Sequence, residues 1–432
     1  MIALVNVTYY DFKTYKEDAY ILFNDTIQNV GEMSQYKNKG YTEIDVSGKL
    51  IMPGLVNGHS HIYSTFARGM TVPFSPTNFQ ELLEQLWWKL DRNLTNEATY
   101  YSALTSGIEY LKNGVTTIID HHASGEIEGS LEALKKGLTE EVGLRGIYCF
   151  ETSDRFNVDD CIKENNQFAL NNETIMTNGL FGLHAAFTLS DDTLKKVSEE
   201  NSKPIHIHVA EDKSDQDISI EKYGKRVIER LDDFNLVTKD SILTHCNYVD
   251  DAELEIIKKN EAVIALNINS NMNNGVGLPN YQQMKEKGIK VIVGNDGLSQ
   301  NMTSEYQGLY YAMHHSTQSP IKFGFEDLID IINNTYTYVS DILDCKIGKI
   351  ERYYQSDLII LDYNAPTPIN ESNIFGHLFF GLFHNFKPND VFVNGQRLLI
   401  NKRVSTSLNN KYNESSLVAQ KLWEKIEKEG NE

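Results

Sequence analysis

The chain has 432 residues, of which 41% are hydrophobic, 23% charged and 10% aromatic. That balance excludes a disordered or low-complexity scaffold. Lys and Arg number 40 against 60 Asp and Glu, a net charge of −20 that disfavours binding to nucleic acid or an anionic membrane.

The four cysteines, Cys149, Cys161, Cys246 and Cys345, are widely separated and form no C-x-x-C pair. Neither a disulfide framework nor a zinc-finger pattern is expected. The start, MIALVNVTYYDF, has no basic segment ahead of an apolar run. No stretch reaches the ~20 apolar residues that span a bilayer. A cytoplasmic protein is expected, with no nucleic-acid or membrane partner.

In chain order, the first fifty residues read as short strands at Ala3–Val7, Ala19–Leu22 and Glu43–Val46. Beyond Met52-Pro53-Gly54 strands alternate with helices. The predicted strands are Leu55–His59, Val115–His121, Arg145–Phe150, Leu180–Ala185, Pro204–Val209, Ser241–His245, Ala262–Asn267 and Lys290–Gly294. Helical spacing appears between them, at Ala98–Lys112, Glu128–Glu141, Glu221–Leu231 and Ala252–Lys259. Eight strands in this alternation predict an α/β fold, a (β/α)8 TIM barrel over 53–344. After residue 345, Asp357–Asp362 and Asp390–Asn394 read as strands, the latter entering a hairpin turn at Val393-Asn394-Gly395-Gln396. Residues 1–52 and 345–405 are expected to pair into one small β domain. Residues 406–432 read as a C-terminal helical tail, solvated or frayed.

The candidate chemistry lies at the predicted strand ends. His59 and His61 are two apart on an extended strand, so both imidazoles face one side and can chelate one metal. Alone this is weak, since chance gives roughly a third of such a pair per chain at this histidine content. Its position matters more, because barrel chemistry gathers at the C-terminal ends of the strands. Asp120-His121-His122, His184, His206 with His208 and Glu211, His245, and Asp296 occupy other such ends. Imidazoles and carboxylates crowded on one rim are costly to desolvate without a partner, and a divalent cation supplies one. Zinc comes first, with iron or manganese as alternatives.

Pro53-Gly54-Leu55-Val56-Asn57-Gly58-His59-Ser60-His61 resembles the strand-one signature of the amidohydrolase superfamily. His208-Val209-Ala210-Glu211, Thr244-His245-Cys246 and Gly294-Asn295-Asp296-Gly297 are similar to its strand-five, strand-six and strand-eight signatures. Residues 59–70, Leu86–Leu90 and Asp120–Ser124 look closest to the SsnA-type aminohydrolases of the deaminase and chlorohydrolase branch. Two departures stand out. Asn267-Ile268-Asn269-Ser270-Asn271 lacks the proline often found after strand seven, and Asn295 stands where a threonine is common.

The resemblance implies that the flanking β segments form a small β-sandwich domain. It also implies one metal ion per chain, held by His59, His61, His208 and Asp296, with Glu211, His245 and Asp296 as catalytic groups. In this pattern His245 hydrogen-bonds the attacking hydroxide, and Glu211 passes a proton to the leaving amine. His184, Arg68, His122 and Trp88 are the candidate substrate contacts. His121 and His122 point to opposite faces of their strand, so at most one of them faces inward. His206 reads as a satisfied interior histidine.

The expected activity is hydrolysis of a non-peptide carbon–nitrogen bond, releasing ammonia from an amino-substituted heterocycle or amidine-like molecule. The expected partners are that small molecule, water and further copies of the chain. A hydrolytic dechlorinase or a cyclic amidase on the same barrel are alternatives, as is a catalytically inactive metal-binding barrel. Leu183-His184-Ala185-Ala186-Phe187 offers no bridging lysine, which counts against a binuclear amidase.

Overall fold

The computed structural model describes residues 1–429. Strands β1 (Ile2–Tyr10), β2 (Tyr15–Phe23), β3 (Ile27–Glu32), β4 (Thr42–Asp45) and β5 (Lys49–Pro53) precede the alternating region. It contains β6 (Leu55–Ser60), β7 (Val115–His122), β8 (Arg145–Phe150), β9 (Thr177–Gly179), β10 (Phe181–Ala185), β11 (Ile205–Val209), β12 (Ile242–His245), β13 (Val263–Leu266) and β14 (Val291–Val293). Strands β15 (Leu358–Asp362), β16 (Asp390–Val393) and β17 (Gln396–Leu399) follow.

Strands β6 to β9 form one parallel sheet and β10 to β14 another. Backbone bonds join their edges. Asn295 N–H donates to His59 O at 3.0 Å, and His61 N–H to Asp296 O at 3.2 Å. On the other side, Thr152 N–H donates to Gly182 O at 3.0 Å and His184 N–H to Thr152 O at 3.1 Å. The parallel strands β6, β7, β8 and β10 to β14 thereby close into a ring. They are buried along their whole lengths, as parallel strands covered by helices must be.

Both ends of the chain build one mixed sheet, in the order β17-β16-β15-β5-β1-β2-β3 with β4 also on β1. The join is the antiparallel pairing of β15 with β5, Ile360 opposite Ile51. Side chains on β15 alternate between two cores. Leu358 and Ile360 pack with Leu4, Ile21 and Phe392, while Ile359 and Leu361 face the large core around the ring. Arg145, at the start of β8, is wholly buried and ties the two parts together. Its Nε and Nη2 donate to the two Asp357 carboxylate oxygens at 2.7 and 3.0 Å, and Nη2 also reaches Gln355 Oε1 at 3.0 Å.

Three expectations change. The helix expected at Glu221–Leu231 is two helices, Lys213–Tyr223 and Val227–Asp233. Gly224 between them takes φ +70°, and its N–H closes the first on Ile220 O at 2.9 Å. Strands β3, β5 and the three-residue β9 carry no clear alternation and were not expected. The tail is neither solvated nor frayed through residue 429; residues 430–432 lie outside the described residues. Helix Thr406–Glu429 buries Val418, Leu422 and Ile426 against Tyr63, Phe66, Leu90 and Leu94. Those three residues are four apart and so form one helix face, hidden in sequence by the charges around them. Trp423 Nε1 fixes the docking by donating to Phe66 O at 2.7 Å.

Candidate metal and active site

At the rim, the imidazoles of His59, His61, His208 and His245 are each held through Nδ1. His61 Nδ1 lies 2.7 Å from His121 O and His208 Nδ1 2.8 Å from His184 O. A carbonyl only accepts, so both Nδ1 atoms carry a proton and Nε2 is the nitrogen turned toward the centre. His245 Nδ1 lies 2.8 Å from Asn271 Oδ1, and Asn271 Nδ2 is engaged with Asn247 Oδ1 at 2.9 Å. This network assigns the same tautomer to His245. His59 Nδ1 meets His206 Nε2 at 2.8 Å. His206 is therefore the interior partner of His59.

The Nε2 atoms converge. His61 Nε2 is 3.1 Å from His208 Nε2 and 3.1 Å from Asp296 Oδ1, while His59 Nε2 is 3.4 Å from that same oxygen. Zinc bonds of 2.0–2.1 Å in a tetrahedron give ligand–ligand edges of about 3.3 Å. His59 Nε2 and His245 Nε2 are buried with no hydrogen-bond partner. The donor set and its spacing fit a divalent ion. Ligand atoms of His59, His208, His245 and Asp296 all lie within 4.8 Å of one another, as do those of His61, His121, Glu151 and His208, so His245 too borders the ion's position and His208 is common to both groups. Ser270 Oγ donates to Asp296 Oδ2 at 2.5 Å, fixing the carboxylate from behind.

Electrostatics follow the same plan. Burial alone would raise the Asp296 carboxyl, but His59 and His61 outweigh it and hold the group well below the usual range. Burial opposes charge on His61, yet Asp296 and Glu151 carry its pKa up to about 9. The spot therefore favours a cation. Burial, then the Asp296 charge, pushes Glu211 well above the ordinary carboxylate range. Glu211 Oε2 lies 3.5 Å from His245 Nε2.

The backbone turns sharply where these residues leave their strands. Ala210, His245 and Asp296 take φ of 45°, 72° and 56°, left-handed values that non-glycine residues seldom adopt. At Ala210 the turn is held by its N–H donating to Asp215 Oδ2 at 2.7 Å. Glu211 follows directly and lines the cavity.

That cavity opens over His61, His208 and Asp296. Trp87, Trp88, Phe79, Leu83 and Phe187 form an apolar wall, and His184, Glu151 and Asp91 a polar one. Trp88 and His184 thus lie where sequence reading expected substrate contacts. Arg68 and His122 do not. Arg68 pairs bidentately with Glu109, both bonds 3.0 Å, and with Gln300 at 3.0 Å, outside the cavity lining. His122 faces away from the ring interior, against Tyr63 and Phe150, while His121 takes the inward position beside His61 and His208. Glu151 was missed, although it directly follows the predicted third strand and the strand-end rule covers it.

A ring of parallel strands with a histidine–carboxylate centre on one rim is the architecture of a metal-dependent hydrolase. The amidohydrolase family profile matches residues 50–398, and the chain belongs to that family. A 5'-deoxyadenosine deaminase from Methanopyrus kandleri is 29% identical over 364 residues, 81% of this chain and 80% of that protein. Among solved structures, a zinc-bound adenosine deaminase from Xanthomonas campestris superposes with TM-score 0.83 at 17% identity, covering 97% of this chain and 98% of the other. A zinc-complexed atrazine chlorohydrolase from Arthrobacter aurescens TC1 gives TM-score 0.81 at 19% identity, covering 97% and 100%. At such identities these two likenesses concern the fold. Among the described residues no helix is long and apolar enough to cross a membrane.

Proposed function

We propose that the chain is a metal-dependent aminohydrolase releasing ammonia from an amino-substituted heterocycle or amidine-like molecule. Three close approaches carry the reading: His61 Nε2 to His208 Nε2 and to Asp296 Oδ1, each 3.1 Å, and His59 Nε2 to that same oxygen at 3.4 Å. His59, His61, His208 and Asp296 would hold one divalent ion, zinc first. Bound there, the ion supplies Lewis acidity and an activated water at neutral pH.

The protein's own groups do the rest. His245 presents an unprotonated Nε2 that can accept a proton from the attacking water. Glu211, whose Oε2 lies 3.5 Å from His245 Nε2 and whose pKa burial raises, is placed to pass a proton from the attacking water to the departing amine. Trp88 and His184 are the substrate contacts. The flat apolar wall of Trp87, Trp88 and Phe187 suits an aromatic ring, and the deaminase names of the relatives favour an adenine-type one.

The ring is read as the (β/α)8 barrel, residues 53–344, and the terminal sheet as its sandwich-like companion from 1–52 and 345–405. A cytoplasmic homo-oligomer completes the reading. The test is ammonia release by the zinc-loaded protein over amino-purines, other amino-heterocycles and amidines, beside chlorinated rings and cyclic ureides. Turnover confined to the last two groups would overturn the deaminase reading.

A further inference from the structure

We propose that Asn247 is a positioning residue whose single amide holds both proton-transfer groups, fixing the His245 ring through Asn271 and the Glu211 turn directly. The inference deepens the aminohydrolase reading and rests on it for the roles of those two groups.

Glu211 and His245 leave the neighbouring strands β11 and β12 on strained backbone. Ala210 takes φ 45°, His245 72° and Cys246 51°, left-handed values at three residues that are not glycine. Such turns persist only where their surroundings hold them. Asn247 ends the second turn and binds the first one twice. Its backbone N–H donates to Ala210 O at 3.1 Å, and its side-chain Nδ2 donates to Glu211 O at 2.9 Å. The tie on the Glu211 carboxylate itself is longer, Asn274 Nδ2 to Oε1 at 3.4 Å.

One carbonyl sets the direction of the whole chain of bonds. Glu211 O can only accept, so the Asn247 group facing it is the NH2, and Oδ1 is turned to Asn271. Asn271 then presents Nδ2 to Asn247 at 2.9 Å and Oδ1 to His245 Nδ1 at 2.8 Å. The His245 proton therefore sits on Nδ1, and Nε2 faces Glu211 Oε2 at 3.5 Å. The Glu211 backbone thus dictates the tautomer of the imidazole that its own carboxylate meets.

Asparagine suits this place because it carries an acceptor and a donor on one short plane. Aspartate accepts but cannot donate, and leucine does neither. Asn247 is outside the cavity lining, so it serves the reaction through His245 and Glu211 and not by touching substrate.

In zinc-loaded protein labelled at the histidine nitrogens, magnetic resonance should find the His245 proton on Nδ1 as a downfield, slowly exchanging signal. Its absence from His245→Asn assigns it. Asn247→Leu should lose that signal, since the Asn271 amide is then free to flip. For the fastest amine of the ammonia screen, kcat should fall roughly tenfold or more, with zinc retained and KM within about twofold of wild type. Asn247→Asp separates the two halves. Its carboxylate still accepts from Asn271 and keeps the Nδ1 signal, but it cannot donate to Glu211 O, so kcat should fall as in Asn247→Leu. A His245 proton on Nε2 in the wild type would overturn the proposal. So would an Asn247→Leu protein with wild-type kcat or an unchanged signal, and so would loss of zinc from both variants, which would make the residue merely structural. Should Asn247→Leu fail to fold, the wild-type signal and Asn247→Asp decide the matter. The proton signals need no turnover, so a chain that releases no ammonia would sink the aminohydrolase reading while the signals still judge the network.

Discussion

Arg145→Met is the most direct probe of how the ring and the terminal sheet are held together. Arg145 is fully buried and Asp357 is 3% exposed. The substitution deletes both bonds to Asp357 and the bond to Gln355, leaving the carboxylate only the Asn394 N–H at 2.8 Å for a partner on its side chain among the bonds that fix it. Breaking a buried ion pair from one side costs about 3–5 kcal/mol. An unfolding entropy of about 2.1 cal/mol/K per residue, taken over the chain, converts this to a fall in Tm of about 3–6 °C. Adding Asp357→Leu removes the stranded charge. The double variant should recover at least half the loss, since a buried pair is often replaced by apolar residues at little net cost. Scanning calorimetry of the zinc-loaded proteins measures this. A single variant within about 1 °C of wild type, or a double variant less stable than the single, would refute the reasoning.

Purified without metal and reconstituted, the chain should hold close to one zinc; His61→Ala or Asp296→Ala should lose it, as read by elemental analysis, and two tightly held ions would contradict the single site. Glu211→Gln and His245→Asn should keep the metal and lose turnover by roughly 10²-fold or more; a variant that sheds the metal belongs among the ligands instead. Burial pushes Glu305 from its ordinary 4.5 up to about 8. A raised folded-state pKa gives stability that is complete below the unfolded value and lost as pH rises toward 8. Glu305→Gln should therefore melt progressively higher than wild type from pH 5 to 8, and an offset independent of pH would exclude this cause.

Much of the framework is written locally. Strand periodicity set His59 and His61 on one side, and the alternation of apolar runs with helices located β8 at its observed limits, residues 145–150. The strand-end rule then reached His184, His208, His245 and Asp296 because a parallel strand delivers its last side chains to one rim. Glu151 obeyed the same rule one residue past the predicted strand and was overlooked.

What sequence could not decide was which polar groups are satisfied by distant parts of the chain. Arg68 is drawn from the cavity by Glu109, which also bonds Tyr412 on the C-terminal helix at 2.8 Å. His121 rather than His122 faces His61 and His208 because of how β7 sits between β6 and β8. The apolar face at Val418, Leu422 and Ile426 has meaning only once Phe66 and Leu90 lie beneath it. The sequence by itself determined most of the elements and the kinds of side chain on the rim, since periodicity and side-chain chemistry are local. The tertiary structure decided partners and tautomers, because charge pairing and hydrogen bonding depend on distances between residues far apart in the chain.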